Sequence, residues 1–175
     1  MKRVMIIGGS GSGKSTLARM LGGIIDLPVV HIDPMYWKPG WVQRTSEETH
    51  ALVLEAAVRD CWVFDGNHSR SIPDRMARAD HFIFLDLPTY LRLWRVLSRT
   101  IRYWGRPRPD MAEGCPERFN WEFLTVWVGG YYKRSHARDM SVLDSAPDHV
   151  KCYHLKSRRE VRQFLTDMEA EYDQT

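Results

Sequence analysis

Near its start the chain reads Gly8-Gly9-Ser10-Gly11-Ser12-Gly13-Lys14-Ser15: a glycine, four residues, then Gly-Lys-Ser. No other stretch limits the possible folds as strongly. The apolar run Val4-Met5-Ile6-Ile7 precedes it and reads as a strand buried on both faces. Lys14 to Ile25 follows, with Leu17, Met20, Leu21, Ile24 and Ile25 at helical spacing. A strand, a glycine turn and a helix in that order are the context in which this motif is a phosphate-binding P-loop. The glycines let the backbone turn tightly and approach a ligand. The exposed N–H groups form an anion nest, and the positive end of the helix dipole adds to it. Residues 8 to 16 are thus expected to hold a nucleoside triphosphate. Lys14 brings a charge to the outer phosphates, the Ser15 hydroxyl can ligate Mg²⁺, and Thr16 supplies a further donor.

The rest of the chain alternates strand and helix. Val29 to Ile32, Trp62 to Phe64, Phe82 to Leu85 and Val150 to Leu155 read as strands. Thr45 to Arg59 reads as a helix opened by a capping box of Thr45 and Glu48. Pro88 suits the first turn of a helix running to about Tyr103. Gly105 to Pro116 carries three prolines and reads as a loop. Glu117 to Arg138 reads as helix, and Ser157 with Glu160 caps a last one. This pattern predicts an α/β fold with a parallel sheet covered on both faces, the three-layer α/β/α arrangement. No repeat or linker divides the chain, so residues 1–175 are expected to form one domain. At 43% apolar and 27% charged residues, disorder is expected only from Glu169 to Thr175.

The three cysteines, Cys61, Cys115 and Cys152, have neither metal-ligand spacing nor an even count. A reducing cytoplasm is the simplest setting. No apolar run approaches the roughly 20 residues a membrane span needs. The net charge of +3 does not by itself imply nucleic-acid binding, but the charge is unevenly placed. Arg92, Arg95, Arg99, Arg102, Arg106, Arg108 and Arg118 are offset only by Asp110, Glu113 and Glu117. Something anionic is expected to meet this stretch. The first four share one helix face and lead into the proline-broken loop, so helix, loop and helix together read as a lid over about residues 99–134. Arginines on a closing lid neutralise a transferring phosphoryl group. Arg134 and Arg138 on the returning helix are candidates to complete the clamp at the substrate.

Three acids follow strands, where ligands gather in open α/β sheets. Asp65 can hold a water on Mg²⁺. Asp33 can orient or deprotonate an acceptor hydroxyl, or bind a metal water. Asp86 has the blander role of capping the helix near Pro88. His31 and His68 are read as structural or solvent-facing, because phosphoryl transfer rests on positioning and charge rather than on a histidine base. Within an acceptor region of about residues 33–60, Trp37 or Trp41 can stack on an acceptor ring. Arg44 can grip an acceptor phosphate.

These residues resemble the adenylate-kinase-related P-loop proteins known as DNA topology modulation proteins (FlaR-like). The resemblance rests on Gly8 to Thr16, His31-Ile32-Asp33, Trp37-Lys38-Pro39-Gly40-Trp41 and Asp65-Gly66-Asn67. Leu93-Trp94-Arg95-Val96-Leu97 and the run from Arg108 to Arg118 add to it, so it spans nearly the whole chain. It implies a five-stranded parallel sheet in the order 2-3-1-4-5 with a helical lid insertion. By the spacing from Pro88 it implies that Arg95 packs on the adenine and that Arg99 reaches the phosphates. It also implies that Lys156 and Ser157 touch the base edge. The expected activity is that of an ATP- and Mg²⁺-dependent kinase passing a phosphoryl group to a nucleotide or other small acceptor. Lys14, Arg99 and Asp33 would be its catalytic residues, with the metal on Ser15 and Asp65. An ATP-binding regulator that contacts DNA, or a P-loop hydrolase without an acceptor, are the alternatives.

Overall fold

The computed structural model describes residues 1–173. Its sheet is parallel and five-stranded, built from β1 (Arg3–Gly8), β2 (Val29–His31), β5 (Trp62–Asp65), β6 (His81–Leu85) and β7 (Lys151–Leu155). The order across it is β2-β5-β1-β6-β7. Between β2 and β5 lies a hairpin absent from the sequence reading, β3 (Trp37–Lys38) and β4 (Val42–Gln43). It adds two strands to the numbering, so the expected 2-3-1-4-5 is met in the main sheet once these are set aside.

β1 is central because both its neighbours are strands, and Val4, Met5, Ile6 and Ile7 are fully buried. A strand alternates its side chains between faces. Met5 and Ile7 therefore join Phe64, Phe82 and Phe84 in one apolar layer. That layer is covered by α3 (Ser46–Ala57), α4 (Ile72–Arg78) and α6 (Ala137–Asp144). Val4 and Ile6 join Val63, Ile83 and Leu85 in the other, under α1 (Lys14–Ile24) and α7 (Arg158–Tyr172). α5 (Thr89–Arg102) packs outside these two layers, on the π-helical segment Phe123–Gly129, in a small cluster around Val96, Leu124 and Val128.

Several expectations change. α4 was missed; its signal was Pro73 in the first helical turn after Ser71. The helix expected from Glu117 starts only at Trp121 and winds as π-helix over Phe123–Gly129 and Tyr132–His136 before becoming α6. The break between them is a turn at Gly130, whose N–H reaches the Thr125 carbonyl. Glu169 to Tyr172 are helical rather than disordered, and Gln174 and Thr175 lie outside the described residues. Both predicted capping motifs are present: Thr45 with Glu48 forms a full capping box, and the Ser157 hydroxyl accepts from the Glu160 N–H. No helix among the described residues is long and apolar enough to cross a membrane.

Candidate active site

The C-terminal ends of β1, β2 and β5 open into a cleft of about 1350 Å³. Its floor is the glycine loop, and the residues from Arg95 to Glu117 form its far wall.

The loop is held from three sides. Asn67, one residue past Asp65-Gly66, accepts the Gly8 N–H through Oδ1 at 3.1 Å and donates Nδ2 to the Gly8 carbonyl at 2.9 Å. Lys14 Nζ donates to the carbonyls of Gly8 and Gly9 at 3.0 and 3.3 Å. From α5, Arg92 is fully buried and donates to the Leu87 carbonyl, the Thr89 hydroxyl and the Ser10 carbonyl. Its guanidinium also lies over the Tyr131 ring, 4.6 Å from the centroid. A methyl on Gly9 would sit 2.3 Å from Arg92 Nη1, so any larger residue there displaces the Arg92 guanidinium. Gly13 caps α1 in the left-handed region at φ 97°, and no side chain caps that helix start. Its first-turn N–H groups therefore face the cradle, as an anion site requires.

The arginines do not form one solvated face. Arg92 is buried. Arg95 Nη1 donates to the Ser12 carbonyl at 2.6 Å, and burial lowers its pKa, with Arg158 adding to the effect. Arg99 and Arg108 turn into the cleft and meet one carboxylate: Arg99 Nε lies 2.9 Å and Arg108 Nε 2.8 Å from Glu117 Oε1. Both approach off the hydrogen-bond axis, so all three atoms are buried without an aligned partner. Burial lowers the Arg99 pKa, Arg108 lowers it further, and Glu117 opposes them. Two guanidiniums on one carboxylate oxygen leave an excess of positive charge facing the loop. Glu117 escaped the sequence reading because an acid among arginines looks like ordinary charge balance.

Asp33 opens the short helix α2 (Asp33–Tyr36). Its Oδ2 lies 3.8 Å from Arg108 Nη2, and its side chain is 54% exposed, to the water of the cleft. The protein crowded around the cleft raises its pKa, Arg108 opposes this, Asp65 raises it again, and Lys14 and Arg99 lower it. Asp33 thus stands among the groups that Lys14, Arg99 and Arg108 bring from three elements. Asp65 is 4% exposed. Its Oδ2 hydrogen-bonds His31 Nδ1 at 2.9 Å, while Oδ1 is buried with no hydrogen-bond partner.

The acceptor-side expectations separate. Trp37 and Trp41 line the cleft and meet edge-to-face at 5.3 Å. Trp41 also ties the hairpin to the arginine-rich loop, donating Nε1–H to the Pro116 carbonyl at 3.0 Å, while the Gly40 N–H reaches the Gly114 carbonyl. Arg44 points away: its Nη1 donates to the carbonyls of Pro34, Met35 and Trp37, closing the C-terminal end of α2. Arg134 lines the cleft with its guanidinium over Trp127, and Arg138 lines it while paired to the buried Asp139 at 2.7 Å. Lys156 and Ser157 cap α7 through Glu160, and the cleft wall beside them is made by Arg158 and Val161. Asp86 caps no helix; it gathers Tyr132, His136 and His154, and these hydrogen bonds outweigh burial to hold its carboxyl below the usual range. Arg75, also missed, is fully buried and supports the turn after β5 through the Gly66 carbonyl; burial pulls its pKa down to about 9.

No family model and no curated protein sequence matches the chain. Solved structures do. A shikimate kinase from Acinetobacter baumannii, determined with shikimate, superposes with a TM-score of 0.61 at 15% identity, covering 96% of this chain and 90% of that one. A shikimate kinase from Bacteroides thetaiotaomicron gives 0.56 at 16% identity, covering 98% of each. At such identities the likeness carries the fold: a three-layer α/β/α sheet with the glycine loop after its central strand.

Proposed function

We propose that the chain is an ATP- and Mg²⁺-dependent kinase that phosphorylates a hydroxyl group on a small molecule. One observation carries the reading. The helix-opening glycine loop with Lys14, the arginines Arg99 and Arg108, and the carboxylate of Asp33 face one cleft from separate elements. Phosphoryl transfer asks for little else, because its catalysis is positioning plus charge neutralisation.

In this reading residues 8–16 hold the triphosphate, and Arg95 closes over the loop. The acceptor oxygen attacks the γ-phosphorus in line while the bond from that phosphorus to the β–γ bridging oxygen breaks. Lys14, Arg99 and Arg108 neutralise the charge that spreads over the transferring group. The acceptor proton passes to Asp33, and ADP leaves. The metal fits the donor set: Ser15 and Asp65 offer hard oxygens, and the partnerless Oδ1 of Asp65 is one a cation or its water would satisfy. Bound there, it would neutralise the outer phosphates. Trp37 and Trp41 would face the acceptor, with Arg134 and Arg138 on the opposite side. Residues 99–134 would act as lid.

Both fold neighbours are named shikimate kinase and one was determined with shikimate, which supports a hydroxyl acceptor in general and leaves its identity to experiment. The motifs quoted above support grouping the chain with the FlaR-like topology modulation proteins. A direct DNA contact through Arg92, Arg95, Arg99 or Arg108 is disfavoured, since these four turn inward. The test is an acceptor screen with γ-labelled ATP and Mg²⁺ against nucleoside monophosphates, nucleosides, sugars and cyclic polyols. Wild type should yield a labelled product that Lys14→Ala does not. Equal product from both would sink the kinase reading. ATP hydrolysis indifferent to every acceptor would favour the hydrolase.

A further inference from the structure

His31 is the last residue of β2, and phosphoryl transfer as described leaves it without a role. In the register of the parallel sheet it stands opposite Asp65, the last residue of β5. Side chains alternate along a strand. His31 and Asp65 therefore share a face with Val29 and Val63, which pack into the layer under α1. That helix carries Ser15 in its first turn. Sheet and helix thus bring Asp65 and Ser15, the two oxygen donors read as metal ligands, to one side of the sheet, with His31 beside the aspartate.

The contact between the two side chains is specific. His31 Nδ1 lies 2.9 Å from Asp65 Oδ2, and the side chains are 17% and 5% exposed. An ionised carboxylate only accepts hydrogen bonds, so the imidazole carries a hydrogen on Nδ1. With Oδ2 taken, the buried carboxylate has one oxygen left, and no protein group hydrogen-bonds that Oδ1. A buried charged acceptor without a partner is costly, and a hard cation or its water removes the cost. Asp65 lines the cleft and His31 does not, so the imidazole acts on anything bound there only through the carboxylate. We propose that His31 is a positioning residue for Mg²⁺: its Nδ1–H fixes Asp65 Oδ2 and so presents Oδ1 alone to the metal. One fixed oxygen suits magnesium, which takes few protein ligands and tolerates little departure from octahedral geometry. The proposal rests on the kinase reading above.

The competing explanation is that the pair only ties β2 to β5. Mn²⁺ can be titrated into protein saturated with ADP, where no transfer occurs, and its affinity read by electron paramagnetic resonance. His31→Leu should weaken Mn²⁺ at least about tenfold, the usual effect of losing an outer-sphere partner. ADP binding measured in EDTA should stay at the wild-type value. His31→Asn keeps an N–H donor close to the backbone and should recover most of the metal affinity. In an Asp65→Asn background, where Mn²⁺ is already weak, His31→Leu should add no further loss. Unchanged Mn²⁺ affinity in His31→Leu overturns the proposal and leaves the tie between strands. An equal loss in the Asp65→Asn background overturns it too, as does a loss matched by ADP in EDTA, which marks a damaged fold. Wild-type protein that binds ADP but no Mn²⁺ overturns it and spares the nucleotide reading; wild-type protein that binds no nucleotide removes both.

Discussion

Replacing Glu117 by Gln removes one negative charge from between two guanidiniums and keeps the side-chain volume. The backbone of residue 117 still accepts from the Gly105 N–H and donates to the Arg106 carbonyl, so the loop keeps its closure. Arg99 and Arg108 then lose the carboxylate they both touch, and Arg108 keeps only its longer contact with Asp33 at 3.8 Å. Breaking a fully buried pair costs roughly 3–5 kcal/mol. Here the Arg99 side chain is 26% exposed and neither contact is aligned, so about 2 kcal/mol is the better figure. For a chain of this size that lowers the melting temperature by roughly 4–8 °C. The gap narrows once a polyphosphate is present. In the wild type its oxygens must compete with Glu117 for the arginines; in the variant they fill an empty place. A ligand at a hundred times its Kd stabilises by about 2.7 kcal/mol, and a tighter Kd in the variant adds to that. Thermal unfolding followed by circular dichroism, with ATP or pyrophosphate titrated from zero to saturation, should show the two melting curves converging. A gap that stays constant at every nucleotide concentration would refute the idea that Glu117 holds the phosphoryl-neutralising arginines in reserve. So would a variant as stable as wild type without nucleotide.

Other outcomes follow from the same geometry. In the proposed mechanism Asp33 is ionised to accept the acceptor proton, and its pKa is raised by the protein crowded around it. As pH falls through that raised value the ionised fraction drops, so the acid limb of kcat should lie above the ordinary aspartate range near 4. Asp33→Asn should abolish that limb and slow transfer by at least about a hundredfold; a normal rate would remove Asp33 from the mechanism. Gly9→Ala puts a methyl 2.3 Å from Arg92 Nη1, and displacing this pinned guanidinium breaks its hydrogen bonds to Leu87 and Thr89. Urea unfolding should register a loss of about 2–4 kcal/mol, together with weaker nucleotide binding. Arg44→Ala should cost about 1–3 kcal/mol through the three carbonyls it leaves without their donor. The acceptor KM should not move; a large rise in KM would return Arg44 to the acceptor site.

The amino-acid sequence by itself settled the elements whose cause is local. The glycine loop between an apolar run and a helical stripe can be read from residues 4–25, because nest, dipole and helix spacing all lie within one continuous segment. The same holds for the caps at Thr45 and Ser157 and for the alternation of strand and helix that forces a parallel sheet. What the sequence left open depends on residues far apart in the chain. Asn67 grips Gly8 across 59 positions, and Arg19 meets Asp110 across 91. The seven arginines read as one basic stretch; packing alone decided that Arg92 supports the loop from beneath, that Arg99 and Arg108 share Glu117, and that Arg44 serves three carbonyls rather than a ligand. An arginine's long stem can carry its charge to any of several places, and which one it takes is set by where burial leaves a carbonyl or carboxylate in need of a donor. That choice is made by the tertiary structure, and with it the part of the cleft that would distinguish one acceptor from another.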